Sequence, residues 1–172
     1  MGCKLDALAT LHDGIPVPEY DAHVPWLIDE QGLFRLIPRD AFTISLGGWP
    51  MLQFTLLGVA GTFGFNFVTH PDRKLLEVQF ENDDETTIHQ TFRDISVILR
   101  RQLGPPNSRN FPDDELRWDD GRIMVDNGIS DGYLYLLGTN VTTHTFSVRY
   151  FRVNAGQVLV LGNGQVVVLG NN

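Results

Sequence analysis

The apolar positions of this chain alternate with polar ones over most of its length and change to helical spacing in two places. Leu5, Leu8 and Leu11 recur three apart, which predicts a short opening helix. Pro16, Pro18 and Pro25 stop it, because proline lacks an amide donor and pushes its predecessor out of helical space, so residues 14–26 are expected to run as an extended, wrapping arm. Strands are expected at 33–37, 42–46 and 51–57, punctuated by Pro38, Asp40 and "GGWP". "GTFGFNFVTHPDRKLLEVQFEND" then reads as a hairpin, with Phe63, Phe65 and Phe67 on one face of its first strand. Leu76, Val78 and Phe80 share a face of the second, and "THPDRK" supplies the turn.

The second helical stretch is the longer. Ile88, Phe92, Ile95, Leu99 and Leu103 form one apolar stripe, predicting an amphipathic helix at about 86–103 that covers the aromatic hairpin. Thr87 with Gln90 suggests a capping box, the acids at 83–85 suit a helix start, Arg100 and Arg101 suit its end, and "GPP" from Gly104 stops it. Further strands are expected at 116–118, 122–125 and 133–137 and along "THTFSVRYFRV", with "DDG", "DNG" and "DG" as tight turns between them. Strands, one principal helix and strands again predict a single α+β domain over 1–172, a mainly antiparallel sheet with the helix packed on it and a Pro-rich arm at 1–30.

The chain closes on "GQVLVLGNGQVVVLGNN", an octapeptide written nearly twice. Asn-Gly at its centre predicts a two-residue turn, so residues 156–172 are expected to form a C-terminal β-hairpin. Strands apolar on both faces need cover, either inside the sheet or, through residues 156–171, in a homodimer.

Composition narrows the function more than the fold. Apolar residues make up 42% and charged ones 20%, the balance of a chain that builds a core. A net charge of −8 with no long basic run argues against nucleic acid as a partner and favours a basic one. Cys3 is the sole cysteine, so no intrachain disulfide forms and a cytoplasmic setting is expected. No apolar run is long enough for a membrane span; "MGCKLD" offers Gly2 or Cys3 for lipidation, with Asp6 standing where the acylation motif wants Ser or Thr.

No motif for chemistry emerges. His12, His23, His70, His89 and His144 are scattered without metal-ligand spacing, there is no nucleophile elbow or phosphate loop, and no metal or cofactor is implied. The carboxylates cluster instead. Asp83, Asp84 and Glu85, then Asp113, Asp114, Glu115, Asp119 and Asp120, lack the spacing of a calcium loop, and turn and cap chemistry accounts for most of them. They also form a band of negative potential that could face a basic protein.

"TFRDISVILRRQLGPP", then a Trp strand in "LRWDDGRIMV" and a Tyr strand in "GYLYLL", resembles small acidic bacterial proteins of the immunity type over roughly residues 60–152. The resemblance implies a non-enzymatic protein that neutralises a partner toxin by binding it; it carries no individual functional residue. The expected function is therefore protein binding through the acidic loops, Asp83, Asp84, Glu85, Asp113, Asp114, Glu115, Asp119 and Asp120. One alternative is an assembly protein pairing strands through its terminal hairpin. Another is a hydrolase in which the fold brings His12, His70 or His144 beside a carboxylate.

Overall fold

The structure, a computed structural model, describes residues 6–68, 73–110, 115–134, 139–151, 158–160 and 166–168. The turn at 69–72, His70, Asp113, Asp114, Gly2, Cys3 and most of the repeated tail lie outside the described residues. The fold is α+β. One eight-stranded sheet carries the strands β3 (Thr43–Ile44), β4 (Pro50–Leu56), β5 (Val59–Val68), β6 (Lys74–Asn82), β7 (Ser108–Asn110), β8 (Glu115–Asp119), β9 (Ile123–Leu134) and β10 (Thr139–Tyr150). Their order is β3-β4-β5-β6-β10-β9-β8-β7, antiparallel throughout, so a crossover through α3 (Ile88–Leu103) places β10 beside β6.

One face of the sheet is apolar. Phe54, Phe63, Phe65, Phe146, Val148, Val125 and Trp118 all point to it and are nearly or fully buried. Helix α3 covers part of that face with Ile88, Ile95, Leu99 and Leu103, and Gly104 ends it at φ 85°, where only glycine is unstrained. The Gly104 carbonyl accepts the Trp118 indole N–H at 3.0 Å, fixing the helix end to β8. The helix packs chiefly against β9 and β10, and its Ile98 and Gln102 also approach Gly58 at the head of β5. The N-terminal third closes the aromatic hairpin further, through Phe42 edge-on to Phe65 at 5.9 Å and Phe34 edge-on to Phe42.

The N-terminal third departs most from expectation. A short helix, α1 (Asp6–Ala9), does open the described chain. The proline arm, however, folds into a hairpin of β1 (Gly14–Val17) and β2 (Ala22–Pro25) joined by a 3-10 turn at Pro18–Tyr20. Ile15, Val17 and Val24 are fully buried while Pro16 and Pro25 face solvent, so the prolines occupy positions a two-stranded edge tolerates. Trp26 follows, stacked 5.5 Å from Tyr150 with its N–H on the Leu11 carbonyl at 2.6 Å.

Residues 33–36 of the segment expected as a strand belong to α2 (Glu30–Leu36), with Ile37 as its C-cap. Asp29 caps it by accepting the Gly32 N–H at 2.6 Å, and Leu33 and Ile37, one helical turn apart, are both fully buried. The strand expected at 42–46 shrinks to Thr43–Ile44, because residues 45–49 form a turn closed by Ser45 and Trp49. In β6 a register shift beside Asn66 and Phe67 brings Leu75 rather than Leu76 opposite Phe67 and into the core.

"DDG" makes a turn, with Gly121 at φ 85°. "DNG" and the following "DG" do not: Asp126, Asn127, Gly128, Asp131 and Gly132 lie inside β9, each paired with β10. The long β9–β10 pair also outruns its neighbours. β6 flanks β10 only from Arg149 to His144 and β8 flanks β9 only from Asp119 to Glu115, so a two-stranded ribbon from Ser130↔Thr143 to Leu134↔Thr139 projects beyond the sheet. In the tail, β11 (Val158–Val160) pairs antiparallel with β12 (Val166–Val168), a separate two-stranded sheet that matches the expected C-terminal hairpin.

Candidate functional site

The second face of the sheet is mainly polar, with Met124 and Ser147 buried on it. Cross-strand register places side chains on it in rows. Glu115, Gly128, Thr145 and Glu81 form one row, and Arg117, Asp126, Ser147 and Gln79 the next. Asp119, Met124, Arg149 and Glu77 form the third. Arg117 bonds Asp126 at 2.6 Å and Glu115 at 3.0 Å, and Arg149 bonds Glu77, which also accepts from Asn66 at 3.1 Å. This ladder neutralises the centre of the face. Asp126 still has its carboxyl raised above the usual range, since burial outweighs the pull of Arg117 and Arg149.

At the ribbon end of β6 carboxylates gather. Glu81 is held above the ordinary carboxylate range by burial first and then by its acidic neighbours Glu77 and Asp83. Its bonded neighbour is the Gln79 amide at 2.6 Å. Repulsion from like charges marks negative potential. Asp83, Asp84 and Glu85 continue from the end of β6 and are exposed, and Glu115 sits in the same row as Glu81.

The structure therefore splits the acidic residues singled out in the sequence. Asp83, Asp84, Glu85 and Glu115 share one end of the sheet with Glu81, whereas Asp119 and Asp120 lie at the other. Four residues along β10 and three strand spacings, on the order of 20 Å, separate Glu81 from Asp119, whereas Glu115 lies on the same strand as Asp119, four residues away.

Several of these carboxylates also hold local structure. Asp84, in place of the expected Thr87–Gln90 box, organises the approach to α3: its side chain accepts the Thr86 N–H at 3.0 Å and hydroxyl at 2.7 Å, and its carbonyl accepts the N–H groups of Thr87 and Ile88. Those Thr86 bonds hold its carboxyl below the usual range. Asp119 accepts the Gly121 N–H at 2.7 Å. Asp120 accepts the N–H groups of Ile123 and Arg122 at 2.8 and 3.0 Å.

Asp120 has a further partner, for its Oδ2 lies 2.6 Å from Nε2 of His12. One of the three histidines named for a hydrolase is thus beside a carboxylate. Burial pushes the Asp120 carboxyl up, but the bonds from Ile123, His12 and Arg122 outweigh it and leave it lowered. The other imidazole nitrogen, Nδ1, faces the Arg122 guanidinium at 3.5 Å. With Nε2–H given to Asp120, Nδ1 is the lone-pair nitrogen and accepts from Arg122. A general base needs that lone pair turned toward a nucleophile or substrate. Here both nitrogens are engaged, and the contact works as a clasp between the N-terminal segment and the β8–β9 turn.

His144, the second of the three, is fully buried between Phe80 and Phe92 and donates from Nε2 to Asn127 Oδ1 at 2.7 Å. Asn127 in turn donates to Ser96 Oγ at 2.8 Å and to the Phe92 carbonyl at 3.3 Å. This chain of bonds docks α3 on the sheet and has no access to solvent. The arginine–carboxylate ladder and the Asn127 network were the features hidden in the sequence, although polar residues at alternate positions of "ELRWD" and "TFSVRY" carry the signal for the first.

Among the described residues, no group of three His, Cys, Asp or Glu side chains is placed to hold a metal, and no helix is long and apolar enough to cross a membrane. No protein-family model matches the chain, and neither does any curated protein or any solved structure.

Proposed function

We propose that this chain is a protein-binding module, non-enzymatic and of the inhibitor or immunity type, which captures a basic partner through the acidic ribbon end of its polar sheet face. The observation that carries the reading is the run of carboxylates at the end of β6, where Glu81, Asp83, Asp84 and Glu85 are all exposed and Glu81, raised first by partial desolvation, is raised further by repulsion from Glu77 and Asp83. Exposed Asp83 and Glu85 adjoin it, and a cationic partner relieves that repulsion. The test is charge reversal, with Glu81→Lys, Asp83→Lys, Glu85→Lys and Glu115→Lys combined, against the partner enzyme or toxin. Association slows and its salt dependence flattens, while the thermal midpoint stays near that of the parent. An unchanged association rate removes this surface from the reading.

A second reading has its own observation. β11 and β12 pair only with each other among the described residues, which favours a tail that completes its sheet on another copy. Removal of residues 156–172 from an oligomer then yields a soluble monomer, and a parent that is already monomeric eliminates assembly.

A further inference from the structure

The projecting ribbon adds a recognition mode to the acidic surface. In an antiparallel ladder each strand turns the N–H and C=O groups of alternate residues to either side. Along β10 those turned away from β9 meet β6 only as far as His144↔Asn82. Over Val141–Thr143 the pairing with β6 has ended, and Val141, Thr142 and Thr143 are half-exposed. The ribbon is braced from within, because Thr142 Oγ1 donates to Asp131 Oδ1 at 2.6 Å across a directly paired position. A braced strand with one free edge is a template for another strand.

We propose that the partner supplies an extended, lysine- or arginine-bearing segment that adds as a strand to the free edge of β10 at Val141–Thr143, beside Asp83–Glu85. This rests on the reading above that the partner is basic; the strand geometry is what it adds. A strand laid on β10 continues the line of β6, whose end runs from Glu81 into exposed Asp83, Asp84 and Glu85. Side chains of the added strand alternate between faces. Those on the polar face follow Thr145 and Glu81 in the row pattern, so a cation at every second position meets these carboxylates.

The probes are peptides of about ten residues, a typical length for an added strand with its flanks. One alternates Lys with Thr, one alternates Glu with Thr, and one is the Lys peptide N-methylated on every second amide so that one of its edges cannot pair. The protein is the full chain, at low ionic strength, with binding followed by fluorescence anisotropy and amide hydrogen exchange by NMR. The Lys peptide binds and the Glu peptide does not. At saturation, exchange slows about ten-fold or more at those amides of Val141–Thr143 that face away from β9, and N-methylation weakens binding by about ten-fold or more, the loss of one or two backbone hydrogen bonds. Binding of the Lys peptide with exchange unchanged, or equal binding of the methylated peptide, overturns strand addition and leaves the acidic surface standing. No binding of the Lys peptide at any salt, or equal binding of the Glu peptide, overturns both.

Discussion

His144 on β10 and Asn127 on β9 meet diagonally across neighbouring strands, with Nε2 2.7 Å from the amide oxygen, and the geometry leaves Nδ1 of His144 buried without a partner. A bare lone pair is the tolerable form of that nitrogen; a proton there would be a buried donor and a buried charge with nothing to receive it. Burial accordingly lowers the imidazole pKa from 6.5 to about 4. The unfolded chain binds a proton below 6.5 that the folded chain refuses until about 4, so stability rises with pH through this window and is lost on acidification. At 1.36 kcal/mol per unit the loss between those limits is on the order of 3 kcal/mol. Denaturant midpoints measured from pH 7 to pH 4 check it against His144→Phe, which abolishes this part of the slope while the carboxylate contributions stay common to both proteins.

The same contact makes Asn127 costly to replace. Asn127→Ala strands the His144 N–H and takes a donor from Ser96 Oγ and the Phe92 carbonyl, all in the helix–sheet interface. A loss of about 2–4 kcal/mol is expected, larger than cavity formation by so small a change would give. In the double variant Asn127→Ala with His144→Phe the two losses fall well short of adding, since the orphaned donor is gone. Urea denaturation of the two single variants and the double reports the coupling, and simple additivity would show that the network is not a unit.

At the start of β1, Gly14 has φ 149°, and a Cβ there would stand 2.2 Å from the Val24 carbonyl oxygen. Backbone atoms on β2 cannot retreat without opening the hairpin that buries Ile15, Val17 and Val24. Gly14→Ala therefore costs about 2–4 kcal/mol. Gly48 makes the contrast: it also has positive φ, at 82°, but its Cβ position is empty to 4 Å, so Gly48→Ala costs about 1 kcal/mol from conformation alone. Thermal unfolding of the two variants separates steric closure from strain.

What could be read from the chain follows how local the cause is. The α3 stripe from Ile88 to Leu103 and its Gly104 stop are determined within the segment, and they appear as expected. Residues 33–37 are not so determined: "LFRLI" serves alternation and helical spacing alike, and Asp29, four residues before Leu33, decides by capping. "DNG" fits a turn on local grounds, yet Asn127 is held in a strand by Ser96 and His144, residues distant in sequence. The acidic loops were legible as charge, but their division between two ends of the sheet depends on the register of β6, β10, β9 and β8, which no short window contains.

His12 and Asp120 offer the remaining test, because a clasp and a catalytic pair respond differently to the same changes. As a clasp, the contact joins residues 108 apart in sequence and steadies the N-terminal segment on the β8–β9 turn. His12→Ala then costs about 1 kcal/mol, the worth of one charge-assisted bond at a partly exposed site. Asp120→Ala costs more, about 2 kcal/mol, since the Ile123 and Arg122 N–H groups lose their acceptor as well. Asp120→Asn retains an acceptor oxygen for the turn and falls between the two. Folding also lowers the Asp120 carboxyl, so its contribution is present above the unfolded carboxylate pKa and disappears as pH falls through the lower folded value. Denaturant titrations of the three variants at neutral and acidic pH give that order and show the differences shrinking in acid. Hydrolysis of an ester or peptide substrate by the parent, lost in His12→Ala at unchanged stability, would instead make the imidazole a general base and overturn the clasp.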